Sequence, residues 1–364
     1  MVNDLEKKTI LVAMSGGVDS SVAALLLKQQ GHNVVGATMK LWDYGEVGGD
    51  LGHEGGCCDL RAINNARAVC ESLGMRHYVL DFTDVFKEIV IENFVSEYLT
   101  GRTPNPCVLC NTEIKWELFL KRAVEIGCSS IATGHYARLN HNSSSNRLVL
   151  RRGIDNTRDQ SYALWGVGQE ALARTYLPLG DIPKTETRRL AEEAGLKTAR
   201  VAESMEICFV ADDNYERFIR EWTQKAIDPG DIINRDGQVI GRHKGIPFYT
   251  VGQRRGLGIA HPTPLYVQEI DVANNRLIVG EDPDLASADM IVSQVNWVSM
   301  SPTDKPFQAL VQIRYQHSAA PAKITPLGEN RLAVNFDTPQ RAVTPGQSAV
   351  FYDGDIVLAG GLID

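Results

Sequence analysis

The chain has 364 residues, a formal net charge of −8 at pH 7, and 43% hydrophobic against 23% charged residues. This composition excludes a disordered or fibrous chain, no apolar run reaches the ~18–20 residues of a membrane span, and an acidic chain cannot hold polyanions by its overall field, so any nucleic-acid site has to be a local basic patch. Seven cysteines, an odd number behind a polar Met1–Lys8 start with no secretory apolar stretch, point to reactive or metal-binding thiols in a cytoplasmic protein rather than to a disulfide framework.

Thr9–Met14 is an apolar run of strand length, Ser15–Ser21 reads Ser-Gly-Gly-Val-Asp-Ser-Ser, and Val22–Lys28 is an apolar-rich helix that ends near Gly31. A strand, a glycine turn and a helix in that order put backbone N–H groups and a positive helix end at the tip of a strand, which suits an anion. The two glycines allow close approach of a phosphate, and Ser15, Ser20 and Ser21 add hydroxyls. Asp19 would repel a phosphate, so a Mg²⁺ ion is its expected partner. The same residues also suit a plain capped helix start. The stretch has neither the Walker spacing with its lysine nor G-x-G-x-x-G. As a whole, SGGVDSS resembles the pyrophosphate-binding loop of the N-type ATP pyrophosphatases, which cleave ATP between its α and β phosphates.

His32–Leu41 reads as a second buried strand, Trp42–Cys58 as a glycine-rich mobile loop, Asp59–Gly74 as a helix, and Arg76–Thr83 as a third strand. Asp84–Thr100 carries apolar residues at helical spacing. In Thr103-Pro104-Asn105-Pro106-Cys107-Val108-Leu109-Cys110-Asn111, two prolines two apart predict a rigid loop. A helix over 114–127 and a strand over 129–136 follow. Such alternation predicts an α/β fold with a doubly wound parallel sheet, ligands binding at the carboxyl ends of its strands. After a polar loop, Arg147–Arg152 reads as a strand and Pro183–Ala194 as a helix. From about Asn214 the composition shifts. Pro229–Gly258 shows turns, short strands and the basic residues Arg242, Lys244, Arg254 and Arg255, which suit phosphate contacts. From Pro264 the pattern is wholly β, with strands expected at 265–270, 276–279, 307–315, 331–336 and 348–352, and a small β-barrel as the result. The expected division is 1–212 for the catalytic domain, 213–275 for a small central domain and 276–364 for the barrel.

Cys107 and Cys110 form a C-x-x-C that could bind metal, cycle as a disulfide or carry a nucleophile. Zinc needs two further ligands, which only Cys57 and Cys58 could add. Cys208 stands in Glu-Ile-Cys-Phe, while Cys70 and Cys128 fall on helix and strand patterns and read as inert core thiols. SGGVDSS, TPNPCVLCN, ATGHYARL, RDQSYAL, EICF and GQRRGLG, in this order, resemble the tRNA-specific 2-thiouridylase family, over nearly the whole chain. The resemblance implies an ATP-pyrophosphatase domain, a central domain and a C-terminal barrel. It implies ATP-dependent replacement of the C2 oxygen of the wobble uridine by sulfur, in tRNAs accepting Glu, Gln and Lys, with a separate protein as sulfur donor.

By the same resemblance Ala13, Met14, Ser15, Gly16, Gly17, Val18, Asp19, Ser20, Met39 and Gly134 bind ATP. Cys208 carries a persulfide and Cys110 is its partner, a Cys110–Cys208 disulfide being the by-product. Asn105, Pro106 and Cys107 meet the flipped base, and His135, Arg158, Asp159, Gln160, Arg314, Tyr315 and Gln347 contact tRNA. Many relatives carry Asp where this chain has Cys107. An alternative set of thiols, Cys107, Cys110 and Cys208, would suit a [4Fe-4S] cluster with one open iron. The redox pair is the reading adopted, because it needs no further component.

Overall fold

The structure, a computed structural model, describes residues 7–43, 60–201, 207–210 and 212–364. Most of the expected loop 42–58, with Cys57 and Cys58, and Glu203–Glu206 ahead of Cys208 lie outside the described residues. The chain divides into two compact units. The first comprises 1–90, 107–213 and 355–357, and the second 91–106, 214–354 and 358–364.

The first unit is built on β1 (Thr9–Ala13), β2 (Asn33–Lys40), β3 (His77–Asp81), β4 (Ser130–Ala132) and β7 (Thr175–Tyr176), in the order β3-β2-β1-β4-β7. Every pairing in this sheet is parallel. Strands buried on both faces read as continuous apolar runs, and Ile10, Leu11 and Val12 are fully buried. Helices α1 (Val18–Gln29), α2 (Leu60–Ser72) and α3 (Lys184–Glu193) fall where helices are expected. Around β1, Val22, Ala66, Cys70 and Ala191 join one core. Cys70 sits in it with its thiol pushed up to about 11 by burial, and burial also raises Cys128, so both are the inert core thiols expected.

Two local expectations are corrected. The stretch 84–100 is helical but not uniform, with Lys87–Ile91 wound as a π-helix before Glu92–Leu99. The Thr103–Asn111 stretch is a loop only as far as Asn105. Pro106–Leu109 is a helical turn that runs directly into a π-helix over Cys110–Leu118. Proline is tolerated in the first turn of a helix because its missing N–H would have had no partner there. Cys107 and Cys110 therefore sit on a helix start. The polar stretch 140–146 is the tip of a hairpin of β5 (Ala137–Asn142) and β6 (Arg147–Arg152). Asp355 accepts from Arg138 at 2.6 Å and from Arg151 at 2.7 Å beside that hairpin.

In the second unit β8 (Gly230–Ile233), β9 (Val239–His243), β10 (Tyr266–Asp271) and β11 (Arg276–Gly280) form a four-stranded sheet in the order β10-β11-β8-β9. Helix Glu92–Leu99 packs on α4 (Tyr215–Trp222) through Phe94 against Phe218 and a stacked Tyr98–Tyr215 pair. The remaining strands are β12 (Ala286–Trp297), β13 (Phe307–Gln312), β14 (Ala320–Gly328), β15 (Arg331–Arg341), β16 (Ser348–Asp353) and β17 (Ile356–Ile363). They run β12-β15-β14-β13-β16-β17 and return to β12 through a β12–β17 pairing, which closes the expected barrel. Val292, Val311, Ile324, Val334 and Phe351 fill its interior.

One packing contact inside the parallel sheet sets a test. A Cβ on Gly36 of β2 would lie 2.4 Å from the Cys70 sulfur. Gly36→Ala is expected to cost about 1–3 kcal/mol. Adding Cys70→Ala, which vacates the space, is expected to return part of that loss, read from urea unfolding midpoints of the single and double variants.

Candidate active site

The first unit gathers its chemistry at the carboxyl edge of the parallel sheet. β1 has β2 on one side and β4 on the other, so the chain's direction of travel across the sheet reverses there, and that is where such sheets open a crevice. Met14–Ser20 leave β1 at this edge, Met39 lies near the end of β2, and Thr133–His135 follow β4. Met14 N–H still donates to the Ala37 carbonyl at 2.8 Å, so Ala13 and Met14 hold the loop in line with the sheet.

The loop closes on itself. Ser15 N–H donates to the Ser20 hydroxyl oxygen at 3.2 Å, and the Ser21 hydroxyl donates back to the Gly17 carbonyl at 2.8 Å. Gly17 is the N-cap of α1 and offers no side chain, so the first-turn N–H groups of Val18, Asp19 and Ser20 keep the open end typical of a helix start. The two glycines have different duties. Gly16 has φ +74° and a Cβ there would sit 2.3 Å from the Ala62 carbonyl oxygen, so it is required by the fold. Gly17 has φ −95°, and among the described residues its Cβ would meet only the Ser15 hydroxyl, at 3.6 Å. The space in front of Gly17 is thus open to a ligand. Gly134 matters for a third reason. Its Cβ would lie 2.8 Å from Asp19 C and Ser20 N, so the strand tip touches the helix start directly.

Asp19 has partners within the protein that its sequence context does not reveal. The Lys184 ammonium, on the first turn of α3, donates to both Asp19 carboxylate oxygens at 2.7 Å. The Tyr136 hydroxyl donates to the same carboxylate at 2.8 Å and lies 2.9 Å from the Thr187 hydroxyl. Both Asp19 oxygens thus face a nearly buried ammonium. Among the described residues no three His, Cys, Asp or Glu side chains form a group that could hold a metal ion. Lys184 was missed from the sequence, where Pro-Lys-Thr-Glu looked only like a helix start.

Cys110 is buried, Cys107 is exposed and Cys208 is half-buried, and among the described residues none of them, nor Cys70 or Cys128, is in a disulfide. The expected disulfide is thus absent among the described residues. Cys110 opens the π-helix, where Asn111 donates to the Ala163 carbonyl at 2.9 Å and accepts from Lys115 at 2.9 Å. Such windings recur at functional sites. Cys208 stands beside Phe209, which is buried edge-on against Phe86, itself packed on Trp42 just beyond β2. This aromatic cluster fixes the Ile207–Val210 turn at the same edge of the sheet.

The expected RNA-contact residues separate into kinds. Asp159 is buried and its carboxylate accepts from Arg152 at 2.8 Å, Gly153 N–H at 3.0 Å, and the Ser161 N–H and hydroxyl at 3.1 and 2.9 Å. A carboxylate so occupied shapes the 153–161 loop. Gln160 accepts from Tyr136 N–H at 3.0 Å and fixes the segment that carries His135. His135 shares a 2.8 Å hydrogen bond with Thr133 and leans on Trp116. Burial, then the charge of Lys115, hold its pKa well below the ordinary imidazole value, so it meets any ligand as a neutral ring. Arg158 is half-buried in the same loop.

In the second unit Asn105 is half-buried and Pro106 buried. Arg314 donates to the Arg341 carbonyl at 3.2 Å, Tyr315 is exposed, and Gln347 donates to the Thr103 and Pro104 carbonyls at 3.0 and 3.2 Å. Arg242, Lys244, Arg254 and Arg255 are exposed, and none pairs with a carboxylate among the described residues.

The loop geometry separates the glycines by experiment. Gly17→Val is expected to melt as the unchanged protein does, within about 1 kcal/mol, yet to lose ATP binding in calorimetric titration. Gly16→Ala is expected to lower the melting temperature outright, through its positive φ and the backbone clash.

Three family descriptions match the chain in succession: "tRNA methyl transferase HUP domain" over residues 8–212, "tRNA methyl transferase PRC-barrel domain" over 216–281, and "Aminomethyltransferase beta-barrel domain" over 287–363. Among full-length relatives, the tRNA-specific 2-thiouridylase MnmA of Pelotomaculum thermopropionicum is 49% identical over 99% of this chain and 98% of its own. That of Geotalea uraniireducens is 48% identical over 100% of this chain and 97% of its own, and that of Clostridioides difficile 45% identical over 98% of each. At this identity, sustained through all three matched regions, the chain belongs to the tRNA-specific 2-thiouridylase family.

Proposed function

We propose that this chain is a tRNA-uridine 2-sulfurtransferase that activates the C2 oxygen of a wobble uridine with ATP and then replaces it by sulfur from a cysteine persulfide. The observation that carries this reading is the pairing, in one unit, of an anion-binding loop with two reduced thiols, Cys110 and Cys208, in a chain 45–49% identical to named 2-thiouridylases.

A uridine C2 carbonyl is a weak electrophile with a poor leaving group. Attack of its oxygen on the α phosphate of ATP releases pyrophosphate and makes AMP the later leaving group. The N–H groups of Val18, Asp19 and Ser20, with the Ser15 and Ser20 hydroxyls, receive the departing phosphates. Lys184 fixes Asp19 and so the start of α1 that presents those donors. Met39 and Gly134 border the adenosine.

The sulfur step needs a nucleophile, and the outer sulfur of a Cys208 persulfide, loaded by a separate donor protein, supplies it. That sulfur bonds to C2 while AMP leaves with the C–O electron pair. The Cys110 thiolate attacks the Cys208 sulfur, the sulfur–sulfur bond of the persulfide breaks, and a Cys110–Cys208 disulfide forms. A thiol reductant returns the pair to the free state. Cys107 is exposed and borders the base, where a small side chain suffices. The target uridine has to leave the anticodon stack to be reached, and Asn105 and Pro106 meet it there.

Cys110→Ala and Cys208→Ala are each expected to abolish 2-thiouridine formation, while Cys107→Ala keeps much of it, read by mass spectrometry of tRNA nucleosides after incubation with ATP and a persulfide-carrying sulfur-donor protein. Loss of activity in a folded, tRNA-binding Cys107→Ala would speak against the two-thiol mechanism. For the RNA contacts, Arg254→Ala with Arg255→Ala is expected to reduce the slope of tRNA affinity against salt by up to about 2, with ATP affinity unchanged.

A further inference from the structure

Resting on the reading that Asn105 and Pro106 meet the flipped base, we propose that Gln347 is a positioning residue and not itself an RNA contact: its side-chain amide holds the base-reading segment in place from the barrel. The segment before Asn105 has an uncommon shortage of its own hydrogen bonds. Pro104 and Pro106 have no N–H, so the Thr103 and Pro104 carbonyls have few local donors. Both are met by one group. The Gln347 side-chain nitrogen lies 3.0 Å from the Thr103 oxygen and 3.2 Å from the Pro104 oxygen. Two adjacent carbonyls can face only the NH₂ end of an amide, so the orientation of Gln347 follows from its partners and both amide hydrogens are used.

The rest of the barrel end is built around the same contact. Thr103 N–H donates to the Pro345 carbonyl at 2.9 Å. Gly346, at φ +87°, lets the backbones touch, since a Cβ there would lie 2.9 Å from the Thr103 oxygen. Gln347 is itself fixed, because Ile363 N–H donates to its backbone carbonyl at 2.9 Å. Arg102 donates to Glu97 at 2.9 Å and to the Ile363 carbonyl at 3.1 Å, and the Thr103 and Thr250 hydroxyls are 3.1 Å apart. Thus Arg102 and Thr103 are tied to the barrel, and Gln347 fixes the two peptide planes immediately before Asn105. A point contact to RNA would need none of this arrangement.

The test replaces the donors at constant size, with Gln347→Met and Gln347→Glu; the second keeps a polar head but turns two attractions into repulsions. Hydrogen–deuterium exchange over residues 99–106 is measured with free protein, beside thiolation kinetics and tRNA binding. The expected result is exchange about tenfold faster in that segment, a kcat at least tenfold lower, and a tRNA Kd within about twofold of the unchanged protein. Unchanged exchange, or a raised tRNA Kd with kcat preserved, would overturn the proposal and leave Gln347 as a direct RNA contact. Asn105→Ala serves as the separate control: full activity there would defeat the base-reading role, while the exchange rates still decide whether Gln347 anchors the segment.

Discussion

The first unit depends on the contact between Gly134 and the start of α1. A strand tip and a helix start that touch backbone to backbone leave no room for a side chain, and the Asp19–Lys184 pair then ties the same helix start to α3. Three elements far apart in sequence are locked at one point, the place where β1 separates β2 from β4. A carboxylate and an ammonium at 2.7 Å, with the lysine nearly buried, hold strongly because water is largely excluded from one partner. The N–H groups of the first turn are thereby aimed while staying open, and this is the condition for receiving a triphosphate.

The same pattern recurs where side chains expected to face RNA also hold backbone. Asp159 saturates itself within its own loop, Gln160 bonds to Tyr136, and Gln347 satisfies two proline-flanked carbonyls. Loops that present bases need rigid supports, because a primary contact misplaced by an ångström loses most of its effect. Arg242, Lys244, Arg254 and Arg255 are exposed and available to phosphate, on a chain of net charge −8. Such contacts and the net charge are compatible because salt screens the distant carboxylates within about 8–10 Å.

The thiols illustrate how environment assigns roles to one chemical group. Cys70 is packed against Gly36 and its proton is held by burial, whereas Cys107 is exposed, Cys110 opens a π-helix and Cys208 rides on a turn anchored by Phe209. Position, and not cysteine itself, sets what each thiol can do.

The parallel sheet, its helices and the presence of a barrel were legible from the sequence, because buried strands and amphipathic helices write their periods directly into the chain. Three barrel strands were not. β12 is interrupted by register shifts, with Gln294 at φ +51°; β14 carries two prolines and β17 two adjacent glycines, so each hides its alternation. The helix start at Pro106 was hidden for a related reason, since proline ends helices as readily as it begins them. The motifs named the loop, the thiols and the family, all of which are local strings. Lys184 as the partner of Asp19, the separate duties of Gly16 and Gly17, and the grip of Gln347 on Thr103 and Pro104 appear only in three dimensions. Each depends on neighbours set by chain packing, and sequence spacing carries no distance between residues 165 or 244 positions apart.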